Sequence, residues 1–388
     1  MKKKVAILGS TGSIGKTTLE IIRKDKKNFQ IELLTANNNV NELIKQAKEF
    51  KVKNLLIHNK KKNLLLIKKL KNKNIKIFYN LEQIENFFKK KIDYTMCSIS
   101  GLEGLKPTLS AIKFSKKIAI ANKESIICGW NLIIKKLKKY KTEFLPIDSE
   151  HFSINELLNK KNILNIEEII LTASGGPFLK LPYKNYKKIT IKSALKHPNW
   201  SMGKKITIDS STLMNKVFEV IEAKKIFNVS IDKIKILIHP KSYIHAIVKF
   251  NNGLTKILIH DTNMTIPIFN SLNSNKSIPL KTKLLDIDKL NNLELSTVNT
   301  QKFPSVKILK RLPLKDSLYE TVIVSANDEL VEMFLEKKIK FLEIIHRLNK
   351  IINLKEFIKY KKITPKNLSQ IYKLSKIVRL KTRSLSIV

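Results

Sequence analysis

Hydrophobic and polar residues alternate in blocks along the first part of the chain. Short apolar runs bounded by polar residues predict buried strands, and apolar residues that repeat every three or four positions predict helices. Strands are predicted at KVAIL, FQIELLTANN, VKNLLIH, KIKIFY, DYTMCSISG, KIAIANKES and EFLPIDSEH, with helices at GKTTLEIIRK, NELIKQAKEF and LEQIENFF. Because strands alternate with helices, we expect residues 1–150 to form an α/β domain with a doubly wound, Rossmann-like parallel sheet.

The pattern changes after residue 150. Residues 151–275 mix apolar runs with motifs that lack periodicity, which indicates a central α+β region. Residues 276–300 are rich in Asn, Lys and Ser, as in a linker. Over residues 301–388 a C-terminal helical domain is predicted from SANDELVEMFLEKK, KFLEIIHRLNKII and NLSQIYKLSKIVRLKTR.

A glycine-rich turn, GSTGSIG, joins the first strand to the first helix. Gly9, Gly12 and Gly15 permit a tight turn that places a phosphate at the helix N-terminus. Ser10 stands where the P-loop pattern and the usual dinucleotide pattern both require glycine. The sequence therefore leaves two alternatives open, a P-loop NTPase and a dinucleotide-binding enzyme, although the position of the turn favours the dinucleotide. Ligands of such sheets bind beyond the carboxyl ends of the strands, so ANKES and PIDSEH should lie at the same edge.

Carboxylates occur at spacings that suit a cation site. Asp148 and Glu150 lie two positions apart in PIDSEH, and in an extended segment both side chains point to one side. In DSSTLMNKVFEVIEA, predicted as one capped helix, Asn215, Lys216 and Glu219 share a face. The alternatives are solvated carboxylates at a strand end and a surface salt bridge.

Two further motifs lack the periodicity of helices and strands. HPNWSMG, which contains Trp200, suits a mobile loop with an aromatic cap, and a buried structural tryptophan is the alternative. LTASGGPF places Ser174 before a glycine pair, where the backbone can approach an anion. A plain tight turn is the competing interpretation of that segment.

Composition narrows the class of protein. Hydrophobic residues make up 43% of the chain, and Cys97 and Cys128 are the only cysteines, which excludes a disulfide framework or a multi-cysteine zinc site. No apolar stretch approaches the ~20 residues of a membrane span, and we expect a cytoplasmic protein with no membrane partner. The net charge of +43 suggests nucleic-acid binding, but only five of the 75 basic residues are arginine and the lysines are spread along the chain. We therefore expect no specific nucleic-acid partner.

The ordered motifs GSTGSIG, ANKES, PIDSEH, LTASGGPF, HPNWSMGKK, DSSTLMNK, IHPKSYIH and SAND closely resemble the 1-deoxy-D-xylulose 5-phosphate reductoisomerase family. The resemblance extends from Val5 to the last helices. It implies that a phosphosugar, 1-deoxy-D-xylulose 5-phosphate, is rearranged and then reduced by NADPH to 2-C-methyl-D-erythritol 4-phosphate, in the non-mevalonate isoprenoid pathway. It also implies a Mg²⁺ or Mn²⁺ ion and a homodimer, with residues 151–275 as the catalytic and dimerisation domain and a flap near 194–204.

The resemblance assigns roles to individual residues. Lys123 and His197 would assist catalysis beside three metal ligands, Asp148, Glu150 and Glu219. The substrate would be bound by Lys123, Ser149, Glu150, Ser174, His197, Ser210, Asn215, Lys216 and Glu219, under a flap that contains Trp200 and Met202. NADPH would contact Thr11, Gly12, Ser13, Ile14, Asn37, Asn38, Asn39, Asn122, Glu124 and Gly203.

The end of the second strand bears on the choice of cofactor. NAD-binding folds commonly place a carboxylate there to bind the ribose 2′-hydroxyl, but TANNN at residues 35–39 has none. NADP(H) is therefore favoured over NAD(H). Some relatives carry a basic residue at the position of Asn38, and its absence here predicts weaker discrimination between the two cofactors.

Two segments depart from the family pattern. Val217 follows MNK where glycine or alanine is common, and HDTNMTIPI replaces a pattern that ends PDMRTPI. Every residue assigned to the metal or to the substrate phosphate is nevertheless present. A simple NADP-dependent dehydrogenase remains the alternative; it would explain the N-terminal domain, but not the clustered carboxylates, and should turn over without a metal.

Overall fold

A computed structural model of the chain describes residues 1–70, 74–158, 165–274, 278–283 and 286–385. The predicted linker and C-terminal domain lie partly outside these residues, at 276–277, 284–285 and 386–388. The chain divides into two compact units. Unit 1 comprises Met1–Ile126, Asn131–Asp148 and Met264–Leu280, and unit 2 comprises Ile127–Trp130, Ser149–Asn263 and Lys281–Val388.

The strands of unit 1 form a parallel sheet, as the alternating pattern predicts. They are β1 (Lys3–Leu8), β2 (Phe29–Ala36), β3 (Asn54–Ile57), β4 (Lys76–Phe78), β5 (Ile92–Cys97), β6 (Ser115–Ile120) and β7 (Glu143–Pro146). Their order across the sheet is β4-β3-β2-β1-β5-β6-β7, and all neighbours are parallel. The strand order reverses between β1 and β5, which is where doubly wound sheets bind their ligands.

Helices connect these strands. They are α1 (Ser13–Lys24), α2 (Val40–Phe50), α3 (Lys60–Lys69), α4 (Leu81–Phe87), α5 (Leu105–Phe114) and α6 (Lys123–Tyr140). In α1, Leu19 and Ile22 are spaced three positions apart and both are buried, because they lie on the face that packs into the core with Val5 and Ile7 of β1. The doubly wound α/β architecture of the N-terminal region is confirmed.

Unit 2 contains a mixed sheet. Its strands are β8 (Ile166–Ala173), β9 (Ile234–Ile238), β10 (Ile244–Phe250), β11 (Thr255–Ile259) and β12 (Ser296–Thr297), in the order β11-β10-β8-β9-β12. Only β8 and β9 run parallel; the other neighbours are antiparallel. The helices of this α+β region are α7 (Ser149–Leu158), α8 (Ile191–Ala194), α9 (Lys204–Ser211) and α10 (Met214–Phe227). Ile154 of α7 and Val220 of α10 share a core with Ile169 of β8.

The remaining helices follow α10 in the chain. They are α11 (Thr265–Leu272), α12 (Ile287–Asn291), α13 (Tyr319–Leu335), α14 (Phe341–Ile352), α15 (Lys355–Ile358) and α16 (Leu368–Ser384). α13 is buried along most of its length and packs against α14 and α16, which confirms the helical C-terminal region. Among the described residues, no helix has both the length and the apolar character needed to cross a membrane.

The grouping into units differs from the predicted domains at several points, and two of the differences involve segments whose partners lie far away in the chain. α11, predicted in the central region, belongs to unit 1, because Ile268 and Leu272 enter the core of that unit and Ser271 bonds to Tyr94 at 2.8 Å. Within the predicted linker, Ser296–Thr297 forms β12 and pairs with β9. Neither association has a local sequence signal, since both depend on partners far away in the chain.

Candidate active site

The sequence predicts an extended conformation for PIDSEH, and this prediction is wrong for the second half of the segment. α7 begins at Ser149, so Glu150 lies in its first turn. Asp and Ser are residue types that favour helix N-termini, and a carboxylate in the first turn is stabilised by the positive end of the helix dipole. Ser149 Oγ donates a hydrogen bond to Glu150 Oε2 at 2.7 Å. The two acidic residues are therefore held by a strand end and a helix start, not by one extended strand.

The segment DSSTLMNKVFEVIEA forms two helices and not one. α9 ends at Ser211, α10 begins at Met214, and Leu213 between them has φ of 61°. The prediction of a single capped helix is wrong because the hydroxyls of Ser211 and Thr212 donate backwards to the carbonyl of Ile208. Asp209 lies inside α9 and not at a helix start, and it accepts a hydrogen bond from Asn327 Nδ2 at 2.8 Å.

Lys216 lies between the carboxylates of Glu150 and Glu219. Its Nζ is 2.6 Å from Glu150 Oε1 and forms a second ion pair with Glu219. Asn215 Nδ2 donates to Glu219 Oε1 at 2.6 Å. The side chains of Lys216 and Glu219 are 4% and 2% exposed, so the alternative of a surface salt bridge is wrong. Burial opposes the charge of Lys216, but the two carboxylates outweigh it and raise its pKa above the ordinary value.

The carboxylates suit a hard divalent cation. Glu150 and Glu219 offer oxygens within 4.8 Å of each other, and Asp148 lies two residues before Glu150 in the chain. Carboxylate oxygens are the ligands that Mg²⁺ and Mn²⁺ prefer. Lys216 already shows that the space between Glu150 and Glu219 accepts positive charge. The residue types and their separations therefore fit the predicted metal.

Two potential ligands next to this group were missed from the sequence. His151 Nδ1 is 4.0 Å from Glu222 Oε2, and His151 Nε2 bonds to the backbone carbonyl of Glu219 at 2.9 Å. Both side chains are buried. The available signal was spacing, because Glu222 is one helical turn beyond Glu219 and His151 ends the PIDSEH motif.

Ser174, His197 and Ser210 are brought together in unit 2. His197 Nε2 is 3.2 Å from Ser174 Oγ and 3.1 Å from Ser210 Oγ. The close approach depends on Gly176, whose φ is 65° and where a Cβ would lie 3.0 Å from the carbonyl of Ser210. Burial lowers the pKa of His197 to about 4, so its ring is neutral near pH 7. Because Gly176 permits the close approach to Ser210, the glycine pair is more than a plain tight turn.

The HPNWSMG segment forms a loop that ends at Gly203, the residue before α9. The backbone amides of Asn199 and Trp200 donate to His197 Nδ1 at 3.1 and 3.0 Å, and Asn199 Nδ2 donates to the carbonyl of Pro240 at 2.7 Å. Trp200 is half-buried and packs edge-on against His245, with ring centroids 6.1 Å apart. The alternative of a fully buried tryptophan is therefore not what the structure has, and Met202 is likewise partly exposed.

The glycine turn in unit 1 is tight. Gly12 N donates to Gly9 O at 3.1 Å, and a Cβ at Gly15 would lie 2.5 Å from Gly9 O, so only glycine fits there. Among the described residues, no side chain caps the start of α1, and its first turn has no acidic residue. The amide groups of this turn and the helix dipole favour an anion. Thr11, Ser13 and Ile14 belong to this turn.

The asparagines after β2 are already bonded to neighbouring elements. Asn39 accepts from Glu42 N at 3.1 Å and caps α2. Asn38 Oδ1 accepts from Asn59 Nδ2 at 2.9 Å, which ties the turn after β2 to the turn after β3. Asn37 accepts from the amide of Asn59 through its backbone carbonyl at 3.2 Å.

The ANKES segment begins α6 at the end of β6. Asn122 accepts from Ser125 N at 2.5 Å and donates to the carbonyl of Gly101 at 2.6 Å, so it fixes the turn after β5 as well as the helix start. Lys123 forms an ion pair with Asp148 and is almost fully buried, as is Glu124. Gly203 belongs to unit 2, where it precedes α9.

A sheet of this topology, a phosphate-type turn and a carboxylate cluster are typical of a nucleotide-binding α/β enzyme with a site that suits a divalent cation. Comparison with known proteins identifies the family. Family models described as 1-deoxy-D-xylulose 5-phosphate reductoisomerase match residues 5–129, with models of its C-terminal domains matching residues 144–227 and 260–381. The chain belongs to the 1-deoxy-D-xylulose 5-phosphate reductoisomerase family, and it is an enzyme.

Individual relatives agree with this membership. The reductoisomerase of Pelagibacter ubique is 60% identical over 389 residues, covering 99% of this chain and 100% of the relative. The solved Zymomonas mobilis reductoisomerase in complex with NADPH is 32% identical, with a TM-score of 0.88, covering 100% of this chain and 99% of that one. A solved DOX-P reductoisomerase in complex with NADPH, fosmidomycin and magnesium is 31% identical, with a TM-score of 0.92, covering 99% and 98%.

Proposed function

We propose that this chain rearranges 1-deoxy-D-xylulose 5-phosphate and reduces the product with NADPH to 2-C-methyl-D-erythritol 4-phosphate. The reaction uses Mg²⁺ or Mn²⁺ bound by Asp148, Glu150 and Glu219. The observation that carries this proposal is the cluster of Glu150, Lys216 and Glu219, in which the buried ammonium group of Lys216 lies between two carboxylates. Relatives solved with NADPH and magnesium support the choice of cofactors.

A divalent cation held by these carboxylates supplies Lewis acidity that polarises neighbouring substrate oxygens and fixes their geometry. The chain's own residues prepare the site. Asn215 donates a hydrogen bond to one oxygen of Glu219, and Lys216 forms ion pairs with both Glu150 and Glu219. Lys123 forms an ion pair with Asp148.

The substrate phosphate binds at Ser174, His197 and Ser210. Since His197 Nδ1 accepts from two backbone amides and the ring is neutral, its proton is on Nε2. Nε2–H therefore donates to the hydroxyl oxygens of Ser174 and Ser210, which leaves their protons to point at an anion. Ser149, Asn215 and Lys216 bind the remaining oxygens, and Trp200 and Met202 close over the substrate and exclude water.

NADPH binds to unit 1 at the carboxyl ends of β1 and β2. Thr11, Gly12, Ser13 and Ile14 hold the pyrophosphate at the N-terminus of α1, where the backbone amides are uncapped. Asn37, Asn38 and Asn39 face the adenosine end, and Asn122 and Glu124 contact the nicotinamide end, as Gly203 of unit 2 does in our proposal. No carboxylate follows β2 to repel a 2′-phosphate.

The enzyme works as a cytoplasmic homodimer whose interface lies in residues 151–275. Exposed apolar side chains on the edge strand β11 support this proposal, since Ile257 is 47% exposed and Leu254, just before the strand, 57% exposed. A long exposed apolar edge is a template for pairing with another chain. Cys97 and Cys128 are both buried and neither is in a disulfide, as is usual for cysteines in a reducing compartment.

Replacing Glu219 with glutamine tests the metal assignment. Glu219→Gln removes one charge from the ligand set but keeps its shape, so turnover should fall by about 100-fold or more while the unfolding midpoint stays near that of the wild type. Mn²⁺ binding, followed by electron paramagnetic resonance, should weaken by at least about ten-fold.

Glu167→Gln is the matched control. Glu167 pairs with Lys249 on the surface, so this substitution makes the same chemical change away from the cluster. Its Mn²⁺ affinity and turnover should equal those of the wild type. Wild-type Mn²⁺ binding and turnover in Glu219→Gln would contradict the assignment.

A further inference from the structure

Four aromatic rings form a continuous series in unit 2, which we call the ring ladder: Phe152, His260, His245 and Trp200. Phe152 meets His260 edge-on at 6.1 Å between ring centroids. His260 and His245 are stacked, with centroids 3.7 Å apart and planes 20° apart. His245 then meets Trp200 edge-on at 6.1 Å. The ladder thus runs from α7, which carries Glu150, to the loop that carries Trp200.

His245 enters the ladder through a break in strand pairing. Ile244 pairs with Ile259 and Ala246 pairs with Leu258, so His245 has no residue opposite it in β11. Such a bulge re-aims a side chain and is common near functional sites. His245 Nε2 donates to the backbone carbonyl of His260 at 3.1 Å, because a carbonyl only accepts. The bulge and this bond together fix the plane of the His245 ring.

His260 contributes its ring mainly as a stacking surface. Its backbone contacts, from its amide to Tyr243 O at 3.2 Å and from His245 Nε2 to its carbonyl, do not involve the ring. The ring donates from Nδ1 to the carbonyl of Asp261 at 2.7 Å, and within the described residues Nε2 has no hydrogen-bond partner. Burial lowers the pKa of both histidines, that of His245 to about 3, so two neutral rings stack near pH 7.

Trp200 is held at its backbone by His197, while its indole rests on His245. Asn199 anchors the loop one residue earlier, through Pro240 O and Ser242 Oγ at 2.7 and 2.9 Å. The backbone of the loop is therefore fixed independently of the ladder. The contact of the indole with His245 is the part of this loop that belongs to the ladder.

We propose that His260 is a positioning residue: stacked behind His245, it holds the indole of Trp200 in the orientation that closes over the substrate. The role in substrate binding rests on the proposed function, whereas the role in orienting Trp200 does not. Aromatic pairs of this kind contribute enough energy to shift an equilibrium about two- to ten-fold. The loss of the stack should therefore change the orientation of Trp200 without unfolding the loop.

Fluorine NMR on protein labelled with 5-fluorotryptophan detects a change in this orientation as a change in the Trp200 resonance. The chain has two tryptophans, so Trp130 serves as an internal reference and Trp200→Phe assigns the resonances. His260→Leu fills a similar volume without a ring, and His260→Phe restores a ring. In substrate-free protein we expect His260→Leu to shift or broaden the Trp200 resonance and leave that of Trp130 in place, with His260→Phe close to wild type.

Kinetics test the consequence for the substrate. In His260→Leu the KM for 1-deoxy-D-xylulose 5-phosphate should rise about five-fold, with KM for NADPH unchanged within two-fold, and His260→Phe should recover most of the loss. Phe357→Leu is the control for general destabilisation, because Phe357 is buried in the C-terminal helices and lies outside the ladder. It should affect neither the resonances nor the KM ratio.

Several outcomes would overturn the proposal. An unmoved Trp200 resonance in His260→Leu, or an equal shift in His260→Phe, would show that stacking does not orient the indole. A shifted resonance with unchanged KM would show that the orientation does not matter to the substrate. Absence of turnover in the wild type would refute the proposed function, while the spectra of substrate-free protein would still decide the role of His260.

Discussion

Lys216 shows how much of the proposed chemistry depends on a few buried charges. An ammonium group is costly to bury, and the side chain of Lys216 is only 4% exposed. Two carboxylates pair with it, and Asn215 donates a hydrogen bond to one of them. Removal of one carboxylate would leave Lys216 paired with the other, whereas removal of Lys216 would leave two neighbouring carboxylates without the cation between them. The arrangement therefore favours a site that accepts positive charge over one that serves only for stability.

At the residue scale, we expect the strength of the selectivity for NADPH to depend on Asn38. Asn38 accepts a hydrogen bond from Asn59, so it presents a neutral amide beside the proposed 2′-phosphate site. Asn38→Lys would replace a neutral hydrogen bond with a charge-assisted one, and the ratio of kcat/KM for NADPH to that for NADH should rise about ten-fold or more.

The control for added charge is Asn291→Lys, at the end of the exposed helix α12. It should leave the cofactor ratio unchanged. A wild-type enzyme that prefers NADH, or an Asn38→Lys variant with an unchanged ratio, would be incompatible with this account of the cofactor site.

His245 should make stability depend on pH. Burial lowers its folded pKa to about 3, below the ordinary value of 6.5, so the unfolded chain takes up a proton that the native chain refuses. Its stabilising contribution is complete above pH 6.5 and is lost as the pH falls from there towards 3. Between pH 7 and pH 5, this group alone should lower the free energy of unfolding by about 2 kcal/mol.

Urea unfolding of the wild type and of His245→Phe at both pH values measures this term. The substitution keeps a ring and removes the titrating group, so the variant should lose about 2 kcal/mol less than the wild type between pH 7 and pH 5. Equal losses in the two proteins would mean that His245 is not held neutral by burial.

At the scale of elements, periodicity predicted most of the fold. β1, α1 and β2 lie where the alternation of apolar and polar residues places them, because their burial is decided by neighbours close in the chain. The break at Leu213 and the pairing of β12 with β9 escaped prediction, since hydroxyl-to-backbone bonds and long-range strand pairing leave no periodic trace.

The candidate site was predicted more fully than its supports. Glu150, Lys216 and Glu219 stand in motifs long enough to indicate chemistry from the sequence. The stacked partner of His245 was not recognised, because His260 lies just after another strand, β11, in a segment noted only as a departure from the family pattern. Contacts between side chains on different elements require the fold to be known.

β11 is the element on which the dimer proposal is tested. Placing a charge on its exposed face should block edge pairing, so Ile257→Lys should convert a dimer, at twice 44.8 kDa, into a 44.8 kDa monomer in light scattering after gel filtration. Leu64→Lys, on exposed α3 in unit 1, makes the same change elsewhere and should remain dimeric. A monomeric wild type, or a dimeric Ile257→Lys, would refute an interface at β11.

At the scale of the whole molecule, the two units carry different parts of the proposed chemistry. Unit 1 has the turn, the strand order and the lack of a carboxylate after β2 that suit NADPH. Unit 2 has the glutamates, Lys216 and the serine–histidine cluster that suit a metal and a phosphorylated substrate. A simple dehydrogenase would need only the first set, so metal dependence distinguishes the two functions.

Oxidation of NADPH, followed by its absorbance with 1-deoxy-D-xylulose 5-phosphate as substrate, tests the central claim most directly. With Mg²⁺ or Mn²⁺ present, we expect one NADPH to be consumed for each 2-C-methyl-D-erythritol 4-phosphate formed, and after chelation we expect turnover to fall by about 100-fold or more, returning when the metal is restored. Undiminished turnover in the metal-free enzyme, or no turnover with this substrate in the presence of metal, would contradict the account.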